Sequence, residues 1–412
     1  MTTPTRVSPT IDHDVIISGA GPAGVATAVA LVQADPALAR RIVVIDKSRF
    51  PREKPCGGGL TGHARAALAA LGLEVRVPHV PCREGRIVYG RHERDVRLER
   101  PVDVVRRREF DADLVAQARE RGVSVVEGEG LASFAVDAAA QLVRVQTTAG
   151  RALTARVLVG ADGAGSKVRR ELARDGRPPL RLFQAEVPAP RGGGFAPLGE
   201  RMIYDFSPMD EGLRGYVWLF PVAGGFVNVG AMHFPSRTLS GAGIEAVLER
   251  TLERYGVALP DGARGWPAWR YRRSARVSAP HLLCVGDAAG IDALTGEGIA
   301  VGLEEGPIAA RTISSALASG HFGFSGYARA LGRAVVGREL ALDGRLAAML
   351  YTPRAFSLWL SLIMFDERMQ RLYAARVSGS EVLADRKHEL LAALGRHILL
   401  APSRLRALAA RA

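Results

Sequence analysis

The stretch DVIISGAGPAGVATAVALVQADPALARRIVVIDKS, residues 14–48, decides the fold. Residues 14–18 are an apolar run that predicts a buried strand, and residues 42–45 predict a second one. Between them, the small residues at 22–32 predict a helix. Two strands joined through a helix make a βαβ unit, so the stretch predicts an α/β protein with a parallel sheet.

A glycine-rich turn lies between the first predicted strand and the helix. Gly19, Gly21 and Gly24 have the G-x-G-x-x-G spacing. In this pattern the first glycine permits a tight turn, the second lets the backbone approach a pyrophosphate, and the third lets the helix pack on the strand. Asp46 ends the next strand, where an acidic residue fits hydrogen bonding to an adenosine ribose. The order of these features predicts a Rossmann-type dinucleotide-binding domain.

Two later segments distinguish between kinds of dinucleotide. LVGADGAGSKVRR (residues 158–170) ends an apolar strand in an Asp-Gly pair, and LLCVGDAAGIDALTGEGI (residues 282–299) ends another in a Gly-Asp pair. A Rossmann domain for nicotinamide cofactors needs neither segment. The ordered set of three motifs resembles the fingerprints of the para-hydroxybenzoate hydroxylase-like FAD-dependent oxidoreductase superfamily.

This resemblance implies FAD as the cofactor and assigns residues to it. Asp287 matches the aspartate that contacts the ribityl or ribose region of FAD, and the turn with Gly296, Gly298 and Ile299 matches the segment near the isoalloxazine and pyrophosphate. Arg107, in the R-x-x-F-D pattern that opens a predicted helix, matches an arginine near the cofactor. The predicted FAD-binding residues are Gly19, Gly21, Ala23, Gly24, Asp46, Lys47, Cys56, Gly57, Gly58, Arg107, Asp162, Gly286, Asp287, Gly296, Gly298 and Ile299.

Two further segments narrow the family. KPCGGGL (residues 54–60) resembles the cysteine-glycine loop of the geranylgeranyl reductase branch, and YVWLFP (residues 216–221) matches the Y-x-W-x-F-P pattern of that branch. The resemblance extends over about residues 13–306. Relatives commonly have proline where this chain has Ala293, a difference that we expect to alter loop stiffness more than chemistry.

The resemblance to this branch implies an FAD-dependent reductase that saturates carbon–carbon double bonds of an isoprenoid or other lipid-like substrate. Reduced flavin would deliver hydride while a nearby acid protonates the alkene. NAD(P)H or another external reductant is expected as electron donor. The candidate catalytic residues are Cys56, Tyr216 and Trp218, and the candidate proton donors are Cys56, Tyr216 and ordered water.

The same residues have a second interpretation. Cys56 is either a reactive group beside the flavin or a small packing residue. Tyr216, Trp218 and Phe220 alternate along a predicted strand, so their rings share one face. That face is either ordinary core or a slot that binds an apolar substrate chain, and the motif match favours the slot.

Other functions fit the same fold. A flavin-dependent monooxygenase acting as hydroxylase or epoxidase on an apolar or natural-product substrate is the main alternative. The W-x-W-x-I-P signature of halogenases does not occur in the sequence. A third hypothesis is a basic surface-binding protein without catalysis, against which the intact cofactor motifs argue.

Composition bounds the location and partners of the chain. The 412 residues are 48% hydrophobic and 24% charged, which is typical of a soluble globular protein. The longest apolar run, around residues 359–365, is too short to cross a bilayer of roughly 30 Å, and the N-terminus lacks a signal-peptide core. We therefore expect a cytoplasmic protein. Three cysteines without metal-site spacing predict neither disulfides nor zinc.

The net charge of +13 comes mostly from arginines spread along the chain, so nucleic-acid binding is not predicted. The tail, residues 386–412, has leucines at helical spacing among basic residues, with Pro402 expected to divide it into two short helices. Such a helix either lies on an anionic membrane surface, making the protein peripheral, or packs its leucines onto the protein body.

The segments together predict three parts: an FAD-binding domain interrupted by a β-sheet substrate domain, followed by a helical C-terminal region. The predicted bounds are residues 1–75, 106–180 and 276–330 for the FAD-binding domain, 76–105 and 181–275 for the substrate domain, and 331–412 for the helical region.

Overall fold

The computed structural model describes residues 11–173, 180–190, 199–234, 239–260 and 263–396. Its strands are β1 (His13–Ser18), β2 (Ile42–Asp46), β3 (Gly59–Leu60), β4 (His79–Tyr89), β5 (His92–Val105), β6 (Ser124–Glu127), β7 (Leu131–Asp137), β8 (Leu142–Thr147), β9 (Ala152–Gly160), β10 (Leu180–Pro188), β11 (Arg201–Asp205), β12 (Gly215–Val222), β13 (Phe226–His233), β14 (Arg264–Ala268), β15 (Ser278–Ala279) and β16 (Leu282–Cys284). Its α-helices are α1 (Pro22–Ala34), α2 (Gly62–Ala70), α3 (Arg107–Glu120), α4 (Lys167–Leu172), α5 (Gly241–Glu253), α6 (Ile299–Ser319), α7 (Tyr327–Arg333), α8 (Val335–Leu350), α9 (Pro353–Phe365) and α10 (Glu367–Val377).

The strands form two eight-stranded sheets. In the first sheet, the order β16-β9-β1-β2-β6 is parallel throughout, while β15 adds antiparallel at one end and the β7–β8 hairpin pairs with β9. The second sheet has the order β14-β10-β13-β12-β11-β4-β5-β3, antiparallel except between β11 and β4. The predicted βαβ unit is present as β1, α1 and β2, and the α/β class is confirmed.

Helix α1 shows why small residues follow the glycine turn. Every residue from 22 to 32 is buried, because α1 lies between the first sheet and helix α6. A Cβ at Gly302 would lie 3.0 Å from the Cβ of Ala23, and one at Gly306 would lie 2.6 Å from that of Ala26. Two glycines of α6 therefore meet two alanines of α1, and larger side chains at this crossing would separate the helices.

The second sheet is covered on both faces. Strand β12 directs Tyr216, Trp218 and Phe220 to the face that α9 and α10 also cover, and Val217 and Leu219 to the opposite face. The three rings share one face, as the alternation predicts.

The opposite face of the sheet packs against helix α5. The sequence analysis assigned this part of the chain to a β-sheet domain and did not identify the helix. Its signals were the buried residues Ile244, Val247, Leu248 and Leu252 at helical spacing and the N-cap Ser240, whose hydroxyl accepts a hydrogen bond from the backbone N–H of Gly243. The surrounding glycines and prolines obscured that pattern.

One strand departs from the predicted domain bounds. Residues 59–60, assigned to the FAD-binding domain, form β3 and pair with β5 of the second sheet. The backbone N–H of Val105 also donates to the carbonyl of Gly58. The glycine loop is therefore held by the second sheet, although it follows the first sheet in sequence.

Residues 387–396 are helical, and residues 397–412, including the predicted break at Pro402, lie outside the described residues. Leu390 of this helical stretch is buried in the core that also contains the aromatic face of the second sheet, and Ala393 is buried too, whereas Leu391 is 61% exposed. None of the helices in the described part of the chain combines the length and apolar character needed to cross a bilayer.

Candidate functional site

A cavity of about 610 Å³ lies where the carboxyl ends of β1, β9 and β16 face the aromatic side of the second sheet. Ligands of open α/β sheets bind at this edge, outside the carboxyl ends of the strands. The predicted site residues that line the cavity are Gly19, Gly21, Ala23, Asp46, Lys47, Cys56, Gly57, Gly58, Arg107, Asp162, Tyr216, Trp218, Phe220, Gly286, Asp287, Gly296, Gly298 and Ile299. Gly24 does not line it.

The glycine turn has a different geometry at each of its three glycines. Gly19 has φ +110°, and a Cβ there would lie 2.3 Å from the carbonyl oxygen of Ala161. A Cβ at Gly24 would lie 1.9 Å from the carbonyl oxygen of Gly19. At Gly21, by contrast, the nearest atom would be Nη2 of Arg52 at 3.5 Å. The turn therefore presents open backbone at its middle glycine, next to a guanidinium group, and fits a pyrophosphate.

Asp46 has a second role that the sequence did not show. Its Oδ2 accepts a hydrogen bond from the backbone N–H of Ala20 at 2.8 Å, and its Oδ1 accepts one from that of Ser48 at 2.8 Å. The carboxylate thereby orders both the glycine turn and the loop after β2. Since each carboxylate oxygen has two lone pairs, the predicted contact to a ribose hydroxyl remains available.

Next to the glycine turn, where a Cβ at Gly286 would lie 2.7 Å from the Cβ of Ala23, the Gly-Asp segment is held by a buried acid. The backbone N–H of Gly286 donates to Oε2 of Glu305 at 2.6 Å, and burial raises the pKa of Glu305 well above its ordinary value. Asp287 lies 3.3 Å from Nζ of Lys54, so the loop after β2 closes over this segment. Glu305 and Lys54 were not predicted as site residues, because no motif links them to Gly286 and Asp287.

Asp162 follows strand β9 and is partly buried. Burial raises its pKa, and its Oδ1 is a buried atom without a hydrogen-bond partner in the described part of the chain. Its Oδ2 accepts from the backbone N–H of Lys167 at 3.3 Å. A buried carboxylate oxygen that lines a cavity without a partner fits a ligand that donates a hydrogen bond there, such as a hydroxyl group.

Arg107 anchors the cysteine-glycine loop. Its guanidinium pairs with Asp111 at 2.7 and 2.8 Å, and the thiol of Cys56 lies near it. Burial alone would lower the pKa of Arg107, but the Asp111 carboxylate holds it above its ordinary value. Arg52 lies 3.1 Å from the same carboxylate. A buried aspartate therefore binds two arginines, one near the glycine turn and one beside Cys56.

The glycines of KPCGGGL permit close contact with the aromatic strand. A Cβ at Gly57 would lie 2.9 Å from the ring of Phe220, and Gly58 has φ +78°. The carbonyl of Cys56 accepts a hydrogen bond from Nδ2 of Asn228 at 2.7 Å, and Oδ1 of Asn228 accepts one from Nε1 of Trp218 at 2.9 Å. The loop is therefore attached to the aromatic wall on one side and to Arg107 on the other.

The aromatic wall of the cavity is larger than the motif indicates. Tyr204 of β11 adds a ring 5.5 Å from that of Tyr216 and 5.1 Å from that of Phe220. The hydroxyl of Tyr216 donates to the carbonyl of Thr295 at 2.5 Å, and burial raises its pKa well above its ordinary value. The Tyr216 proton is therefore already engaged, which weighs against Tyr216 as a proton donor.

Glu53 and Glu297 are acidic residues of the cavity that the sequence motifs did not predict. Glu297, between Gly296 and Gly298, lines the cavity and accepts a hydrogen bond from the Thr61 hydroxyl at 2.5 Å. Arg376 of α10 lines the same region. These residues come from three distant parts of the chain, so no local spacing connects them.

Comparisons with known proteins agree with this geometry. A model of the FAD binding domain family matches residues 12–185. A menaquinone reductase of Mycobacterium tuberculosis is 31% identical over 327 residues, which cover 73% of this chain and 76% of the relative. A menaquinone reductase of Mycolicibacterium smegmatis is 29% identical over 416 residues, which cover 95% of this chain and 97% of the relative. Digeranylgeranylglycerophospholipid reductase 2 of Methanopyrus kandleri is 26% identical over 319 residues and covers 74% and 78%.

Solved structures share the fold. A geranylgeranyl bacteriochlorophyll reductase-like protein from Thermoplasma acidophilum superimposes with a TM-score of 0.71 at 19% identity, covering 91% of this chain and 98% of that one. The halogenase PltM, solved with FAD, gives a TM-score of 0.67 at 15% identity and covers 94% and 86%. At these identities the likeness shows the fold alone, and enzymes of more than one chemistry share it.

Proposed function

Because the chain belongs to the geranylgeranyl reductase family of FAD-dependent oxidoreductases, we propose that it reduces carbon–carbon double bonds of an isoprenoid chain. FAD is its cofactor, and the glycine turn, Asp46 and the Gly-Asp segment are the residues that would hold it. The observation that carries the proposal is the cavity itself, in which the predicted FAD-binding residues continue directly into a wall of Tyr204, Tyr216, Trp218 and Phe220. An apolar chain bound there would lie beside the flavin.

The names of the relatives support an isoprenoid substrate. Menaquinone and digeranylgeranylglycerophospholipid differ in their head groups, and only the first contains a quinone ring. Both carry isoprenoid chains with carbon–carbon double bonds. A reaction common to the two substrates therefore takes place on the isoprenoid chain. The aromatic wall of the cavity suits such an apolar chain better than it suits a polar head group.

When bound, the reduced flavin supplies hydride to the substrate. The aromatic wall would orient the isoprenoid chain and exclude water. An isolated alkene accepts hydride as positive charge develops on its carbon atoms, and a desolvated ring face stabilises such charge by about 1–2 kcal/mol. Trp218 is held by Asn228, so its ring keeps one orientation while the chain enters.

We propose that Cys56 contacts the reacting region, since its loop lies against Phe220 and its thiol against Arg107. Tyr216 and Trp218 act by binding and orienting the substrate. Electrons would come from NAD(P)H or another external reductant.

An anaerobic assay tests the proposed reaction. Purified enzyme with reduced flavin is incubated without oxygen with menaquinone and, separately, with a digeranylgeranyl lipid, and the products are analysed by mass spectrometry after exposure to air. We expect the mass of one dihydrogen to be added per saturated bond on both substrates. A hydroquinone would return to the quinone in air, so a persistent mass gain locates reduction on the chain. A product that forms only when oxygen is present, with an oxygen atom added, would contradict the proposal and identify a monooxygenase.

We also propose that the enzyme takes its substrate from an anionic membrane surface. The helical stretch at residues 387–396 exposes Lys387, Leu391 and Arg396 while it buries Leu390. Basic residues near an anionic surface each contribute about 1 kcal/mol to binding. Sedimentation with anionic vesicles should fall for Leu391→Asp but not for Val136→Asp, a matched change at another exposed apolar residue. Equal recovery of the wild-type protein with neutral and anionic vesicles would overturn this proposal.

A further inference from the structure

Glu297 is an acidic side chain of the cavity to which the proposed reaction has so far given no role. It lies in the turn before α6, flanked by Gly296 and Gly298, which have no side chains, so it is the side chain that this part of the turn offers to the cavity. Its Oε1 accepts a hydrogen bond from the hydroxyl of Thr61. Within the described residues no hydrogen bond is made to Oε2, which leaves that oxygen available to a substrate.

The surroundings of Glu297 favour its neutral form. Burial raises its pKa, and the nearby Asp292 acts in the same direction. Arg376, the hydrogen bond from Thr61 and His63 act in the opposite direction, and burial outweighs them. The guanidinium of Arg376 is, however, already bound to the carboxylates of Glu339, at 3.0 Å, and Asp343. Because its charge is offset by two acids, Arg376 does not hold Glu297 in the ionised form.

Thr61 and His63, at the start of helix α2, lie near Glu297. Thr61 caps helix α2, since its hydroxyl also accepts from the backbone N–H of Ala64. Two residues further along is His63, which pairs with Glu304 of α6 at 3.3 Å. Both partners are partly exposed, and the hydrogen bond to Glu304 raises the pKa of His63. Nε2 of His63 is buried and has no hydrogen-bond partner in the described part of the chain.

We propose, on the basis of the proposed function above, that Glu297 is the proton donor of the alkene reduction, resupplied through Thr61 and His63. The π bond of the substrate breaks as one carbon takes hydride from the reduced flavin and the other takes the proton of Glu297. Two C–H bonds form, and the flavin is oxidised by two electrons. Glu297 is left as a carboxylate and regains its proton from water.

The variant Glu297→Gln tests the role, because glutamine still accepts the hydrogen bond from Thr61 but carries no acidic proton. Glu367→Gln, a change at an exposed glutamate of α10, is the matched control. Both variants should bind FAD and be reduced by dithionite like the wild type. In a single anaerobic turnover of the pre-reduced enzyme, Glu297→Gln should reduce the isoprenoid chain at least about 100-fold more slowly, the usual loss on removal of a general acid.

Two measurements separate proton donation from a structural effect. The infrared spectrum of the wild type at pH 7, without substrate, should contain the C=O stretch of a protonated carboxyl group that Glu297→Gln lacks. The single-turnover rate should fall as pH rises through the pKa of Glu297, and this dependence should be absent from the variant. The groups that face Glu297 are Thr61, which caps α2, His63 of α2, Asp292 of its own loop, Tyr373 and Arg376 of α10, Tyr216 of β12 and, beyond His63, Glu304 of α6.

The outcomes distinguish this inference from the proposed function. If the wild type reduces isoprenoid double bonds and Glu297→Gln does so at the same rate, Glu297 is not the donor while the proposed function stands. An infrared spectrum that is identical in the two proteins likewise overturns the donor role. If the wild type reduces no such bond, the proposed function fails, and the role of Glu297 falls with it even where the carboxyl band is present.

Discussion

The two ends of the cavity are built in opposite ways. At the glycine turn, the backbone of consecutive residues makes the binding surface, and side chains are absent where a ligand must approach. At the aromatic end, the surface consists of side chains from β11, β12, the turn before α6 and helix α10. The first end tolerates almost no change of residue, because a backbone surface cannot rearrange. The second end can change its shape by substitution, which suits enzymes of one fold that act on different substrates.

The largest effect is expected inside the glycine turn. Gly24→Val places a side chain 1.9 Å from the carbonyl oxygen of Gly19, so α1 must move away from the sheet. We expect a loss of about 4 kcal/mol or more in the free energy of unfolding, in the range of severe core overpacking. Urea unfolding of the FAD-free protein measures it. A variant as stable as the wild type would show that the turn is not a rigid backbone surface.

Gly21→Val should instead separate FAD binding from folding. Its Cβ would point towards Arg52 without a backbone clash, so the FAD-free protein should unfold at the same urea concentration as the wild type. A valine side chain would block backbone contact with the pyrophosphate, and FAD affinity should fall by about 100-fold, or about 2.7 kcal/mol. Flavin fluorescence titration measures the affinity. Full flavin occupancy in this variant would show that the pyrophosphate lies elsewhere.

At the aromatic end, a change should affect turnover without removing FAD. Cys56→Ser is expected to keep the fold and the flavin and to lower the rate of isoprenoid reduction about 10-fold, because the loop that carries Cys56 lies between Arg107 and the aromatic wall. Cys284→Ala is the matched control, since Cys284 is buried in the first core. If both variants turn over like the wild type, Cys56 is a packing residue.

The smallest effect concerns pH and the second sheet. His233 of β13 accepts a hydrogen bond from the backbone N–H of Arg214, and burial, with the charges of Arg214 and Arg181, lowers its pKa from 6.5 to about 4. Between pH 6.5 and about 4, His233 therefore binds a proton in the unfolded chain but not in the folded protein. The contribution of the neutral, buried His233 to the free energy of unfolding is present above pH 6.5 and is lost as pH falls towards 4.

Between pH 6.5 and pH 4, the free energy of unfolding of His233→Asn should fall by about 1 kcal/mol less than that of the wild type, a value that allows for screening by water. Asparagine keeps an acceptor for the Arg214 N–H and does not titrate. Parallel urea unfolding at the two pH limits measures the difference. An identical pH dependence of the two proteins would mean that His233 takes up protons equally in both states.

Sequence reasoning succeeded where chemistry depends on neighbours along the chain. The glycine turn, the acid at the end of β2 and the Gly-Asp segment each have a local spacing that reflects backbone geometry, and they predicted the fold and the FAD cofactor. It failed where partners meet only after folding. Glu297, Thr61 and Arg376 are separated by long stretches of chain, and nothing near any of them indicates the other two.

The ion pair between Lys54 and Asp287 was missed for the same reason, since its partners meet only after folding. Lys54 meets Asp287 only because the loop after β2 closes over β16. Helix α5 was missed for another reason, since its regular apolar spacing stands among glycines and prolines that are typical of loops.

The packing of α10 has a consequence for the way the enzyme is made. A Cβ at Gly62 of α2 would lie 1.9 Å from the carbonyl oxygen of Ser378, directly after α10, and Arg376 of α10 forms part of the cavity wall. On the ribosome, the glycine turn and the Gly-Asp segment emerge before α10. The residues predicted to bind FAD are therefore synthesised before the helix that closes the space proposed for substrate. A chain that ends within α8 or α9 would contain the predicted FAD-binding residues but would lack α10 and the closed cavity. Flavin colour alone would therefore not show that the protein can bind its substrate.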